Sequence, residues 1–262
     1  MENNAGRFTN PVVSHVLKES GASETCVSYK SVFKKTMLFL LSSVLGVAAF
    51  VVLHCLIGST QTIGGTFVCS TAEIAIASIA SVLAVVMSFV ASWVKSASGV
   101  CGTICCVSYG ILLGFLAVSM PEVQGIMLLA LVFTIAVVAV MAVLYYSGLV
   151  KVTQKLRTFV TVAVFSMLIG SLLFFLCCLI PAFHNAVTWF YKNTALSIIC
   201  AILGVALGVL FLMCDFDSIA NAVENGVDKS YENCLAFGLA FSVIWLYFKI
   251  FELLVRLLKR NE

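Results

Sequence analysis

The chain has 262 residues, 62% of them hydrophobic and only 10% charged, and its mean hydropathy is +1.13. A soluble domain is roughly 45–50% apolar and about 25% charged, so this composition excludes a water-soluble globule and points to membrane-spanning helices. The formal net charge of +3 is too mild for nucleic-acid binding, and the basic residues mostly flank apolar runs, where membrane topology accounts for them.

At about 20 residues per crossing, the length admits roughly six to eight spans. Met1 to Lys35 is a polar tail without the apolar core of a signal peptide. The first span is predicted from Met37 to Ile57, and an uncharged Gly/Thr-rich loop, Gly58 to Ala72, follows. The second runs from Glu73 to Val94 and ends at Lys95; the third covers Cys101 to Met120 and stops at Pro121. The fourth, Gln124 to Ser147, leads into a basic loop with Lys151, Lys155 and Arg157. The fifth, Phe159 to Ile180, is closed by Pro181. The sixth is predicted from Ala195 to Cys214, an acidic connector from Asp215 to Glu232, and the seventh from Asn233 to Leu254. The expected organisation is a polar cytoplasmic tail over 1–36, a seven-helix membrane domain over 37–256 and a short basic tail over 257–262.

Lysine and arginine asymmetry sets the expected orientation. A cytoplasmic N-terminus puts Lys30, Lys34, Lys35, Lys95, Lys151, Lys155, Arg157 and Lys229 inside. Seven full crossings then leave Arg256, Lys259 and Arg260 outside, whereas a re-entrant last segment would return them; seven crossings is the favoured reading. Six of the 11 cysteines sit within apolar runs and read as small apolar residues. Cys101, Cys105 and Cys106 could hold a soft metal, but no second group of ligands accompanies them. Gly110 with Gly114, and Gly204 with Gly208, are small pairs four apart that let helices approach closely, read here as packing within one bundle.

A charge at membrane depth costs about 2.5–3.5 kcal/mol on insertion scales, so each one needs an explanation. Glu73 opens the second span, where the positive end of the helix dipole favours a carboxylate. Lys249 and Glu252 are three apart on one helix face and read as a structural pair. His54 has no acidic neighbour in sequence and reads as interfacial or hydrogen-bonded. The most informative run is Leu212 to Ile219, with Asp215 and Asp217 where the sixth apolar stretch ends, and Glu224, Asp228 and Glu232 beyond. Hard cations prefer carboxylate and carbonyl oxygens. Close carboxylates also resist ionising together, which makes such a pair responsive to pH.

The stretch from Asp215, Phe216, Asp217, Ser218 and Ile219 through Asn225 and Gly226 to Ala236–Leu239 and Trp245–Tyr247 resembles the transmembrane Bax inhibitor motif family, in particular its bacterial branch. Asn10–Val12, Tyr109–Ser119 and Tyr145–Thr153 resemble further segments of that branch. The resemblance implies an all-α bundle of seven transmembrane helices with the last helix at the centre. It also implies a pH-sensitive calcium leak or a modulator of cell death and stress, some bacterial relatives acting on a membrane-bound protease. The family's proposed gate pairs an aspartate at the end of span six with one in span seven. Asp215 matches the first position; the second falls at about Ser242. A glutamate common in the branch's third span is Leu113 here, and the branch's glutamate–arginine order at the end of span seven becomes Lys249 then Glu252.

Two functions are therefore expected to compete. One is a pH-sensitive cation leak, mainly for calcium, with Asp215 as sensor, Asp217 as its perturbing neighbour, and Glu73, Glu232, Lys249 and Glu252 in support. There, protonating Asp215 would remove a charge-based contact that closes the helix end and let spans six and seven shift. The other is a membrane-embedded regulator that binds a protease or stress-response partner without conducting ions. Neither GxSxG, HExxH nor paired mid-span aspartates occur, so no enzyme activity and no cofactor beyond a transported ion is expected. The missing leader and compact loops point to a bacterial inner membrane.

Overall fold

The computed structural model describes residues 26–57, 62–63, 66–67, 70–148, 152–163, 166, 170 and 194–258. Helix α1 covers Tyr29–Ile57, α2 Thr71–Trp93, α3 Ser98–Ser119 and α4 Gln124–Tyr146. Helix α5 is described over 154–163, α6 covers Thr194–Glu224, and α7 covers Glu232–Leu258. Short 3-10 turns at Pro121–Val123 and Lys229–Tyr231 lead into α4 and α7. Between α1 and α2, β1 (Thr62–Ile63) pairs antiparallel with β2 (Thr66–Phe67). The remainder of the predicted fifth span, with Pro181, lies outside the described residues, as do Lys151, Lys259 and Arg260. Among the described helices, six are long and apolar enough to cross a bilayer.

Two boundaries differ from the sequence reading by eight residues or more. Helix α1 starts at Tyr29, eight residues before Met37. The Ser28 hydroxyl accepts from the Ser31 N–H at 3.2 Å, as an N-capping serine does. Val32 is buried and Lys35 finds an inward partner, so the charges that argued for a tail belong to the helix. Helix α6 does not stop at Cys214 but runs ten residues further, to Glu224. Leu212, Phe216 and Ile219 repeat every three or four residues and carry one buried face into this extension. The expected acidic connector is therefore mostly helix. It ends where the Val227 N–H bonds to the Ala222 carbonyl and the Gly226 N–H to the Val223 carbonyl. This is a glycine C-cap, with Gly226 at a φ of 61° that a side chain would resist.

The helices alternate in direction. Call the end where α1 begins proximal and the end where it stops distal. Tyr29 meets Tyr146 of α4 edge-on at 6.2 Å, Lys95 after α2 bonds to the Tyr231 hydroxyl, and Glu232 bonds to Lys35. The end of α2 and of α4 and the start of α7 thus all lie proximally. Helix α7 is one unbroken helix, so Arg256 stands at the distal end and no described residue turns back.

Burial shows which helix is central. Helix α4 buries only Ala130, Thr134 and Met141, a narrow stripe. Helix α7 buries Ala236, Phe237, Leu239, Ala240, Ser242, Ile244, Leu246 and Ile250, which point in several directions around its axis. It packs against α1, α2, α3, α4 and α6. Phe237 meets Phe39 of α1 at 5.9 Å, and Tyr109 of α3 lies between Phe241 and Phe248 at 6.1 and 5.8 Å. The two glycine pairs serve different helix contacts. Gly110 faces Ser43 and Gly46 on α1 at backbone contact, while Gly204 and Gly208 open α6 to Lys249 and Leu246 of α7.

Candidate functional site

Asp215 and Ser242 come together. The Ser242 hydroxyl donates to Asp215 Oδ2 across the seam between α6 and α7. Ser242 is fully buried, and its hydroxyl also lies 3.1 Å from the Gly238 carbonyl one turn back. Gly238 borders the pair: Asp215 Oδ1 lies 3.9 Å from where its Cβ would stand, an ordinary contact distance. Among the described residues no cationic side chain bonds to Asp215.

Asp217 goes elsewhere. Residues two apart on a helix do not share a face. Its carboxylate pairs with Arg157 of α5, accepts from the Tyr145 hydroxyl at 3.4 Å and from Asn221 Nδ2 at 3.0 Å. The contact with a cation that fastens this end of α6 is therefore made by Asp217, not by Asp215. Asp217, two residues from Asp215, thus forms a clasp between α4, α5 and α6.

A second clasp forms at the start of α7. Glu232 is 1% exposed. Its Oε2 accepts from Ser31 Oγ at 2.6 Å and Lys35 Nζ at 2.8 Å, and its Oε1 accepts from the Ser28 N–H at 3.3 Å. The backbone reinforces it, with the Val27 N–H donating to the Val227 carbonyl at 2.9 Å and Cys26 bridging to Asp228. Asp228, outside the spans, is held below the ordinary carboxylate value by the Ser230 N–H at 2.8 Å. The turn it caps is accordingly favoured above that ordinary value and loses this support as the pH falls through the depressed one.

The remaining candidates lie distally. Glu73 is buried at the start of α2 in a capping box: its Oε2 accepts from the Ser70 N–H at 2.8 Å, and the Ser70 hydroxyl accepts from the Glu73 N–H at 3.3 Å. His54 Nδ1 lies 2.5 Å from Glu73 Oε1, which ties the end of α1 to the start of α2. Replacing His54 with alanine removes the side chain that, among the described residues, joins this carboxylate to another helix. It is expected to cost about 1.5–3 kcal/mol, read as a lower unfolding temperature in detergent. Lys249 pairs with Glu252 at 2.9 Å, and Arg256 reaches the same carboxylate at 2.6 Å. The expected structural pair is thus a triad carrying one net positive charge. A Cβ at Gly204 would stand 3.0 Å from Lys249 Cδ, so the lysine stem runs in the same α6–α7 seam as Asp215.

Lys35, Ser31, Tyr145 and Arg157 were not singled out by the sequence as site residues. Ser28, Ser31 and Lys35 share the face of Val32, a spacing that could have marked them. Among the described residues no three His, Cys, Asp or Glu side chains gather as a metal site.

A bundle of apolar helices around a buried last helix, with a carboxylate in its innermost seam, defines a polytopic membrane protein. The chain belongs to the Bax inhibitor 1 like family, whose profile matches residues 10–259. No curated protein and no solved structure matches it.

Proposed function

We propose that the protein is a pH-sensitive leak for cations, calcium foremost, with the α6–α7 seam as its route and Asp215 as its titrating group. The observation that carries this reading is the Asp215–Ser242 pair: a carboxylate inside the bundle with a hydroxyl, not a cation, as its partner. Ser242 can serve either protonation state. It donates to the ionised carboxylate, or accepts from the protonated acid while donating to the Gly238 carbonyl. Protonation then leaves the two helices joined and changes only the charge of the seam, from negative to neutral. Cation entry accordingly falls as Asp215 takes up its proton. The clasps of Asp217 on Arg157 and Glu232 on Lys35 hold the proximal ends of the helices together and so limit the resting leak.

The partner-binding reading has one observation in its favour. Lys249 runs its stem along the same seam and carries its ammonium to Glu252, and that positive charge beside the route opposes a cation. Calcium entry into liposomes reconstituted with the full chain, followed over a pH series, tests the leak. Entry above that of empty liposomes, decreasing toward acid, is the expected result. Its absence at every pH, with the protein folded, would leave the regulator, which a detergent pull-down would show through a stoichiometric membrane partner such as a protease.

A further inference from the structure

We propose that Lys30 and Lys34 on the outward face of α1 form a binding site for the headgroup of an anionic phospholipid. The first two turns of α1 divide their residues sharply. Val32, Lys35 and Thr36 face the bundle, with Lys35 spent on Glu232. Lys30 and Lys34, four apart, point the other way and are exposed. The same outward face continues through Met37, Leu38, Leu41 and Leu45, all exposed apolar side chains. These belong to a candidate membrane span, so the row they form lies against acyl chains. The two ammonium groups stand at its proximal end, at headgroup depth. Trp93, 82% exposed, and Tyr146, 62% exposed, mark the same level on α2 and α4, as aromatic residues do at a bilayer interface.

Among the described residues no carboxylate pairs with Lys30 or Lys34. Like charges at this spacing repel, and a phosphate between them removes the repulsion. A phospholipid supplies the phosphate and, through its acyl chains, covers the apolar row below. A zwitterionic headgroup brings its own cation to the site, so charge complementarity selects an anionic one. The bound lipid would fix the turns whose inner face makes the Glu232 clasp. This inference does not depend on ion conduction.

The test uses the purified full chain in detergent with equimolar dioleoylphosphatidylglycerol and dioleoylphosphatidylcholine, and reads retained lipid by native mass spectrometry. Phosphatidylglycerol should be retained preferentially, with about fivefold preference contributed by each lysine, and less at high salt. The double variant Lys30→Gln and Lys34→Gln, which alters only exposed side chains, should lose that preference. Lys229→Gln, at an exposed proximal lysine outside α1, should keep it. Equal retention of the two lipids, or a preference that survives the double variant, would overturn the site. So would an equal loss in Lys229→Gln, which would make the preference a property of the whole basic face. Displacement by inorganic phosphate would make the free anion the ligand and overturn the lipid assignment.

Discussion

Replacing Lys35 with methionine is expected to destabilise the protein by about 3–5 kcal/mol, because it strands a buried carboxylate. Glu232 is 1% exposed and cannot turn to water, while Lys35, at 32%, can. The two halves of the pair are therefore not equivalent. Glu232→Gln keeps one oxygen for the Ser28 N–H, turns its amide NH2 toward the Ser31 hydroxyl, which can accept, and releases a lysine that can reach headgroups, so it should cost only about 1 kcal/mol. In the double variant Lys35→Met with Glu232→Gln, much of the loss should be recovered, since no buried charge is left alone. Unfolding midpoints in detergent give all three values. Equal losses in the two single variants would contradict the asymmetry.

Gly110→Val is expected to cost about 3 kcal/mol by forcing two helices apart. A side chain at Gly110 would run into the Ser43 carbonyl, with the Gly46 Cα only 2.9 Å away. These are backbone atoms, which cannot rotate out of the way as a flexible side chain can. In lipid there is little hydrophobic drive to press the helices back together, so close backbone approach is the main source of cohesion between α1 and α3. Gly125→Val is the matched control, because nothing stands within 4 Å of its Cβ position. Purification yield and thermal midpoint should fall for the first variant and hold for the second.

The fold was legible because span-length apolar runs leave few alternatives. The boundaries were less so, for one physical reason. A polar residue near the end of an apolar run reads as the end of the helix, yet a helix continues while its polar groups find partners. Lys35 has Glu232, and Asp217 has Arg157, so α1 begins earlier and α6 ends later than hydropathy suggests. Both partners are distant in sequence, and no local rule joins residue 35 to residue 232.

The candidate site was legible in part. Asp215 and Ser242 could be paired in advance only through family likeness, and the structure brings them together. Lys249 with Glu252 needed only helical spacing, although Arg256 also joins. His54 had no acidic neighbour along the chain, because Glu73 reaches it only after the chain turns into α2. In sequence, Arg157 and Lys35, the cation partners of Asp217 and Glu232, look like topological charges, a role that spacing alone cannot tell from ion pairing.

The measurement that tests the central claim most directly is calcium entry into liposomes for the wild type and Asp215→Asn over one pH series. Asparagine keeps the shape and can still accept from Ser242, but carries no charge and takes up no proton in this range. Entry that declines toward acid in the wild type, and is low and flat with pH in the folded variant, is the predicted result. Equal entry with the same pH dependence in both would contradict a leak controlled by Asp215.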